Sequence, residues 1–441
     1  MGVNKKKVVR IRRLIIIYYV LVVIVWFVSK WFTNRSIVAP NLLSFSQLFA
    51  ILALSGLSLQ PLLSSRWQSL ERGVGLERLV SWHKKNAKFV YVLAAIHPIY
   101  IAFYYLRHTI SPLRAVLAYG WPYLVGVATL VTLTLIVFTS IYRNTIKIKY
   151  QTWQLIHKLV YVALVLAFIH ALFIGSDVFI VSPLFIWLIC TMLLAIVGIY
   201  LRVVLRHLRK NRHEFAVVDI KKETHNVHTI TLESIDKPVC DFMPGQFAFV
   251  SFKSKRVSDE EHHFTIASAP NKQFVQFSIK ESGDFTSTVK DLEIGDRALV
   301  EGPFGVFVNP NNEGPIVFTA GGIGVTPIMS MLRTMHETGL YAPTVLIYAN
   351  QTRNDIVFLD ELNEIAEQGW LKIVHVLSKE QVEGYYSGYV SKEIYEKEVG
   401  NVKEKKHFVV GPDAMNKAVL GVLEELEVPK ENIFTERFTL V

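Results

Sequence analysis

Six apolar stretches, each long enough to cross a hydrocarbon core of roughly 30 Å, fill most of the first 205 residues of this 441-residue chain. They run Leu14–Phe32, Leu42–Leu63, Ala87–Leu106, Trp121–Ile141, Trp153–Ile174 and Val178–Leu201. The second carries the weakest signal, being interrupted by Ser, Gly and Pro61. A segment that spans lipid must satisfy its own backbone, so each stretch is expected to be a helix. No small-residue cleavage site follows the first stretch, so a removable signal peptide is not expected.

Basic residues in the short loops set the orientation. One side collects Lys5, Lys6, Lys7, Arg10, Arg12 and Arg13, then Arg66, Arg72, Arg78, Lys84, Lys85 and Lys88. It also collects Arg143, Lys147 and Lys149, and Arg202, Arg206, Arg209, Lys210 and Arg212. The other side has Lys30, Arg35, Arg107 and Arg114. Both termini are therefore expected in the cytoplasm of a multi-pass cell-membrane protein. The net charge of +10 is then a topology signal, with the lipid bilayer as partner and no nucleic acid. Cys190 and Cys240 are too few for a disulfide framework or a multi-cysteine metal site.

Ionisable residues inside spans are costly and mark functional sites. His83 and His97 belong to the third span and its entry, and His157 and His170 to the fifth. Separations of 14 and 13 residues correspond to about 21 Å and 20 Å of helical rise. Both helices run outward, so His83 can face His157 at one depth and His97 can face His170 at another. Two facing imidazoles suit the axial positions of a haem iron. The competing reading is that each histidine hydrogen-bonds a neighbouring helix. One tetrahedral zinc site is disfavoured by the distance between pairs. Thirteen residues leave the second histidine about 140° round the helix from the first. The fifth helix must then bend or unwind, or the two sites must be offset. Pro98 could also distort the third helix. Lys84, Lys85 and Lys158 could meet haem propionates or serve as snorkelling anchors.

From about residue 212 short β-branched runs replace the spans. Phe215–Ile220, His225–Glu233, Phe242–Val250, His262–Pro270 and Phe277–Ser287, closed by Gly302-Pro-Phe-Gly305, predict a small antiparallel β-barrel. After Asn309 strands alternate with helices. Strands are expected at Pro315–Ala320, Thr344–Ala349, Leu371–Leu377 and His407–Val410, and helices at Thr326–Gly339, Val357–Gln368, Ser391–Glu398 and Asp413–Glu425. This is the pattern of a doubly wound α/β domain. Gly321-Gly-Ile-Gly324, between a strand and a helix, suits a pyrophosphate turn. The expected division is residues 1–210, 211–308 and 309–441.

The His-x-Phe-Thr motif at His262, the Gly-Gly-x-Gly-x-Thr-Pro turn at Gly321 and the two spaced histidine pairs carry a family resemblance. The soluble half resembles the ferredoxin–NADP reductase superfamily. With the six-span half, the chain resembles the ferric reductase and NADPH oxidase family in its short prokaryotic form. The resemblance implies that His262, Phe264, Thr265 and Ser268 contact FAD, with Lys280 and Thr286 near its pyrophosphate. It implies that Gly321, Gly322, Gly324, Thr326 and Pro327 cradle the nicotinamide dinucleotide, with Gly411, Pro412 and Asp413 nearby. Phe438 is the aromatic that would stack on the flavin, or else simply closes the last strand. Arg353 or Lys379 would bind a 2′-phosphate, leaving NADH against NADPH open, because Gln351 stands where many relatives have Arg. His263 replaces a common Pro, and Val410 a common Cys.

The implied activity is electron transfer from cytoplasmic NAD(P)H through FAD and two b-type haems, His83/His157 inner and His97/His170 outer, to an extracellular small-molecule acceptor. The acceptor is O₂, giving superoxide, or ferric iron. The second span lacks the Arg, and position 101 the His, that oxidase relatives often carry, which weakens the oxygen reading. No regulatory insert or obligatory protein partner is evident, so constitutive activity is expected. The alternatives are a membrane electron-donor subunit serving a partner protein, and a haem-free flavoprotein with a plain membrane anchor.

Overall fold

The structure is a computed structural model that describes residues 5–32, 42–107, 120–143, 145–175, 182–204, 212–235, 238–239, 241–271, 273–309 and 314–436. Phe438, Cys240 and the loop cations Arg35, Arg114, Arg206, Arg209 and Lys210 lie outside the described residues. The chain divides into two compact units. One comprises Lys5–Leu70 and Arg78–Leu208, and the other chiefly Arg209–Val441.

In the first unit, six helices of the described residues are long and apolar enough to span a membrane: Lys6–Trp31, Leu42–Leu63, Leu76–Arg107, Trp121–Tyr142, Tyr150–Ile174 and Pro183–Val204. Leu14, Val20, Phe103, Val131, Val165 and Ile196 on their outer faces are exposed, as lipid-facing side chains are. The second span, faintest in sequence, is the most buried, at 39% of its apolar stretch against 11–28% for the others. Its Ser and Gly residues are the reason, because small side chains let neighbouring helices approach. Gly198 of the sixth span packs directly on Pro61 and Leu62. The fourth span is rich in hydroxyls, and these return to its own backbone: Thr129 to Val125 O, Thr134 to Leu130 O and Thr139 to Leu135 O, at 2.7–2.8 Å. No hydroxyl of that set needs water.

The third span stays one continuous helix through Pro98. The fifth does not. It is built as Tyr150–Lys158 and Val160–Ile174, joined at Leu159, whose N–H reaches Ile156 O at 3.0 Å. The interruption falls between His157 and His170, where the 13-residue spacing demands a departure from regular helix. An apolar core of Leu57, Val90, Leu133, Ala163, Leu164 and Phe168 is shared by the second, third, fourth and fifth spans. Val90 stands midway in sequence between His83 and His97.

The second unit begins with strands β1 (Arg212–Thr224), β2 (Val227–Ser234), β3 (Phe247–Lys253), β4 (His262–Thr265), β5 (Phe274–Lys280) and β6 (Arg297–Phe304). Their order is β4-β3-β6-β1-β2-β5, all antiparallel. An antiparallel bridge from Ile266 to Phe277 joins the two edges, so the sheet curls into the expected barrel around Phe215, Ile230, Leu232, Phe252 and Phe277. The α/β part has strands β7 (Ile316–Gly321), β8 (Thr344–Asn350), β9 (Leu371–Leu377), β10 (Tyr386–Ser387), β11 (Lys406–Val410) and β12 (Ile433–Glu436). They form a parallel sheet in the order β10-β9-β8-β7-β11-β12. The helices are Thr326–Thr338, Leu359–Ala366, Lys392–Val399 and Asp413–Glu425.

Arg333, on the helix after β7, ties the barrel to the α/β sheet. It makes a two-pronged bond to Glu361 at 2.6 and 2.7 Å, donates to Ala267 O at 2.8 Å and to Gln276 Oε1 at 3.0 Å, and stacks over Phe358. A lysine could not make that fork.

The close approach at Gly198 is testable. A Cβ there would fall 2.8 Å from Leu62 N, which is backbone and cannot rotate away. Gly198→Ala is expected to cost about 1–3 kcal/mol of overpacking, read as a lowered unfolding temperature of the purified protein in detergent. An unchanged temperature would refute the packing argument.

Candidate functional sites

In the membrane unit the four histidines meet as two pairs. His83 faces His157 and His97 faces His170, each with ring centroids 6.3 Å apart. An imidazole atom lies about 1.15 Å from its ring centre for ring bonds near 1.35 Å. A metal–imidazole bond is about 2.0 Å. Two imidazoles trans on one metal therefore have centroids about 6.3 Å apart. Among the described residues no group of three or more His, Cys, Asp or Glu could hold a metal, so the donor set at each level is two imidazoles. The spacing suits a metal ion shared by the two rings of each pair, and His83 with His157 and His97 with His170 would be the residues to hold a haem iron.

The hydrogen bonds fix which nitrogen is available. His170 Nδ1 lies 2.9 Å from the Pro122 carbonyl. A carbonyl only accepts, so Nδ1 carries the proton and Nε2 keeps its lone pair. Ser46 Oγ donates to His97 O at 2.9 Å, leaving His97 Nδ1 to donate to Ser46, 2.7 Å from Oγ and 3.0 Å from O. Ser140 Oγ donates to Ile136 O and accepts from Trp153 Nε1, and it lies 3.4 Å from His157 Nδ1. His83 Nδ1 has no hydrogen-bond partner among the described residues, while Gln60 Nε2 donates to the His83 carbonyl at 3.3 Å. The His97/His170 pair is thus the more firmly oriented. Gly126 makes room for it, because a Cβ there would lie 2.5 Å from His170 Cε1. Ser46, Gln60, Gly126 and Ser140 escaped the sequence reading, since small polar residues in spans are common and carry no spacing signature. Lys84, Lys85 and Lys158 are all exposed.

In the barrel, His262, Phe264 and Phe285 form a near-parallel stack. His262 and Phe285 are 4.0 Å apart at 18°, and Phe264 lies 6.4 Å from Phe285 at 18°. His262 and Phe264 are half-buried, so the stack offers flat apolar surface of the kind a flavin or adenine plane needs. His262 also bonds Glu260 Oε2 at 3.2 Å. Burial still holds its imidazole below the usual range, against the pull of that carboxylate. Thr286 Oγ1 accepts the Ser282 and Gly283 N–H groups, both at 2.9 Å, and shapes the loop after β5. Lys280 is half-buried at the end of that strand, opposite Val227. Ser268 is buried, and its Oγ accepts the Gln276 N–H at 3.3 Å. Its side chain therefore braces the barrel.

In the α/β sheet the strand order reverses between β7 and β11, the point where dinucleotides bind. Gly321, Gly322 and Gly324 follow β7, and Gly411, Pro412 and Asp413 follow β11. The glycines do different work. Cβ atoms on Gly321 and Gly324 would lie 2.5 Å from Met415 Sδ and 2.7 Å from Val410 O, whereas Gly322 has φ +52° and open space around it. Gly322 is the one whose backbone a ligand can approach. Tyr348 OH donates to Gly322 O at 3.1 Å and accepts the Val357 N–H at 3.3 Å, anchoring the turn. Pro327 stands in the first turn of the following helix, where its missing N–H costs nothing, and Thr326 Oγ1 donates to Ile323 O at 3.1 Å. Arg353 and Lys379 lie exposed beyond β8 and β9. The ring of His375, on β9, is pushed down to about 4 by burial and then by the Arg353 charge.

Three families match along the chain: Ferric reductase like transmembrane component over residues 49–168, FAD-binding domain over 211–307 and Oxidoreductase NAD-binding domain over 318–420. The three matches follow one another in the domain order of the ferric reductase/NADPH oxidase architecture. The matches are thus to a transmembrane component followed by the FAD- and NAD-binding domains of oxidoreductases. The chain is 29% identical over 235 residues to a propane 2-monooxygenase reductase component of Mycolicibacterium goodii, covering 51% of this chain and 66% of that one. It is 33% identical over 179 residues to NADH-cytochrome b5 reductase 1 of Dictyostelium discoideum, covering 38% of this chain and 62% of that one. The chain thus spans less than two thirds of these curated relatives. Among solved structures, the FAD/NAD-binding domain of nitric oxide dioxygenase from Vibrio cholerae aligns with TM-score 0.47 and 20% identity, over 51% of this chain and 97% of that one.

Glu436, at the end of β12, was not legible in sequence. It is buried, its Oε2 has no hydrogen-bond partner among the described residues, and burial pushes its carboxyl well above the usual range. A raised folded-state value means stability that is full below the unfolded value and is lost as pH rises. Glu436→Gln, neutral at every pH, is expected to raise the temperature of flavin release more at pH 8 than at pH 5. An equal shift at both pH values would contradict the buried, protonated acid.

Proposed function

We propose that this protein carries electrons from cytoplasmic NAD(P)H to an acceptor outside the cell. In this reading FAD is held in the barrel and one b-type haem between each histidine pair. Bound there, the flavin and the two irons would supply the conversion of a two-electron donor into single-electron transfer. The observation that carries the reading is the equal 6.3 Å spacing of the two pairs, at levels about 21 Å apart by helical rise.

The chain's own residues prepare these sites. Pro122 O and Ser46 hold the outer imidazoles in the tautomer that presents Nε2. The apolar core around Val90 and Leu164 separates the two levels and excludes water. The aromatic stack at His262 and the open backbone at Gly322 provide surfaces for FAD and for the dinucleotide. Loop charge supports a cytoplasmic position for both termini, which puts the donor domain where NAD(P)H is found.

The acceptor is O₂ or ferric iron. A second reading, a membrane donor that passes electrons to a partner protein, is favoured by the likeness to a monooxygenase reductase component. Purified protein given NAD(P)H should reduce either cytochrome c in a superoxide dismutase-sensitive way or a ferric chelate directly. Output to neither, restored by adding a membrane extract, would favour the partner reading.

His97→Leu and His170→Leu should each abolish output to the outer acceptor and halve the haem content, with FAD retained. Undiminished output would sink the relay. Gly126→Val should act in the same direction by displacing His170, lowering outer-site haem while leaving the inner-site spectrum. Full haem content in Gly126→Val would show that the ring has room to move.

A further inference from the structure

The two histidine pairs share a ring spacing but not a setting. At the His97/His170 level both Nδ1 atoms have good acceptors. His170 Nδ1 donates to Pro122 O at 2.9 Å. His97 Nδ1 lies 2.7 Å from Ser46 Oγ and 3.0 Å from Ser46 O. Ser46 is buried, and its hydroxyl hydrogen goes to His97 O at 2.9 Å. A hydroxyl that donates is polarised and accepts more strongly, the more so away from water.

The His83/His157 level is more poorly bonded. His83 Nδ1 has no hydrogen-bond partner among the described residues. His157 Nδ1 stands 3.4 Å from Ser140 Oγ, longer than an ordinary N–H···O bond, and that oxygen already accepts Trp153 Nε1 at 3.2 Å. Charge differs in the same sense. The Arg202 guanidinium donates to Ser64 O at 2.5 Å, and its positive charge bears on both His83 and His157.

An imidazole whose Nδ1–H is given to an acceptor is a more basic ligand through Nε2. An oxidised iron carries one more positive charge than a reduced one. A more basic ligand therefore favours the oxidised form and lowers the reduction potential, while a nearby cation raises it. Both differences place the His97/His170 site below the His83/His157 site.

We propose that Ser46 is a positioning residue that acts through His97 to make the His97/His170 site the more reducing of the two. The assignment rests on the reading that each pair holds a haem iron. It goes beyond that reading by ranking the two sites and naming the side chain that helps to rank them. An acceptor served from the His97/His170 level meets the stronger reductant.

The test is a spectroelectrochemical titration of the purified, haem-loaded full-length protein, followed at the b-type absorption band. Two one-electron components are expected. His97→Leu should remove the lower-potential component and His83→Leu the higher. Ser46→Ala loses the 2.7 Å acceptor and keeps the main-chain oxygen. It should raise the lower component at least threefold in its reduction equilibrium, about 28 mV at 59 mV per tenfold for one electron, and leave the higher one unmoved. Ser46→Thr, which keeps a hydroxyl, should return the wild-type value. A single component in the wild-type protein, loss of the higher component in His97→Leu, or two unmoved components in Ser46→Ala would overturn the proposal while leaving the haem reading standing. If the wild-type protein binds no haem, the reading and the proposal fall together.

Discussion

An imidazole inside a bilayer has two nitrogens to satisfy and no water to do it. Much of the membrane unit can be understood as the answer to that constraint. At the His97/His170 level one nitrogen of each ring donates to a neighbouring span, to Pro122 O for His170 and to Ser46 for His97. The other nitrogen is left for a partner that only the facing histidine can share. Holding two such pairs at two depths sets the third and fifth spans facing one another across the rings. It requires Gly126 behind His170, and it coincides with the interruption of the fifth span at Leu159.

That interruption shows how far sequence reading reaches. Spacing alone exposed a mismatch of about 140°, and so a helix that could not be regular, but it did not locate the irregularity. Leu159 has no glycine or proline to mark it. Pro98 does carry a mark, and the third span runs through it unbroken. Local residue type is a weak guide to helix geometry in lipid, where neighbouring helices and side chains can take up freed backbone groups. The second span makes the same point from the other side. The Ser and Gly residues that dilute its hydropathy are what allow it to be the most buried.

In the second unit the long strands and helices were legible because their periodicity is strong, and Leu371–Leu377 and Asp413–Glu425 match to the residue. The two-residue β10 and four-residue β12 were not, being too short to show alternation. The residues that orient the sites were largely hidden. Ser46, Tyr348 and Arg333 act through partners 26 to 66 residues away in sequence, and no single-sequence pattern encodes such a pairing.

The glycine turn illustrates the limit of motif reasoning. Three glycines read alike in sequence, but only Gly322 combines a left-handed backbone with open surroundings; Gly321 and Gly324 are small because Met415 and the Val410 carbonyl press on them. Most of the motif therefore reports how tightly a helix packs against the ends of β7 and β11, which is a property of the fold. What distinguishes one dinucleotide from another must lie elsewhere, in the loops beyond β8 and β9, which adorn the same scaffold and bear little of its packing.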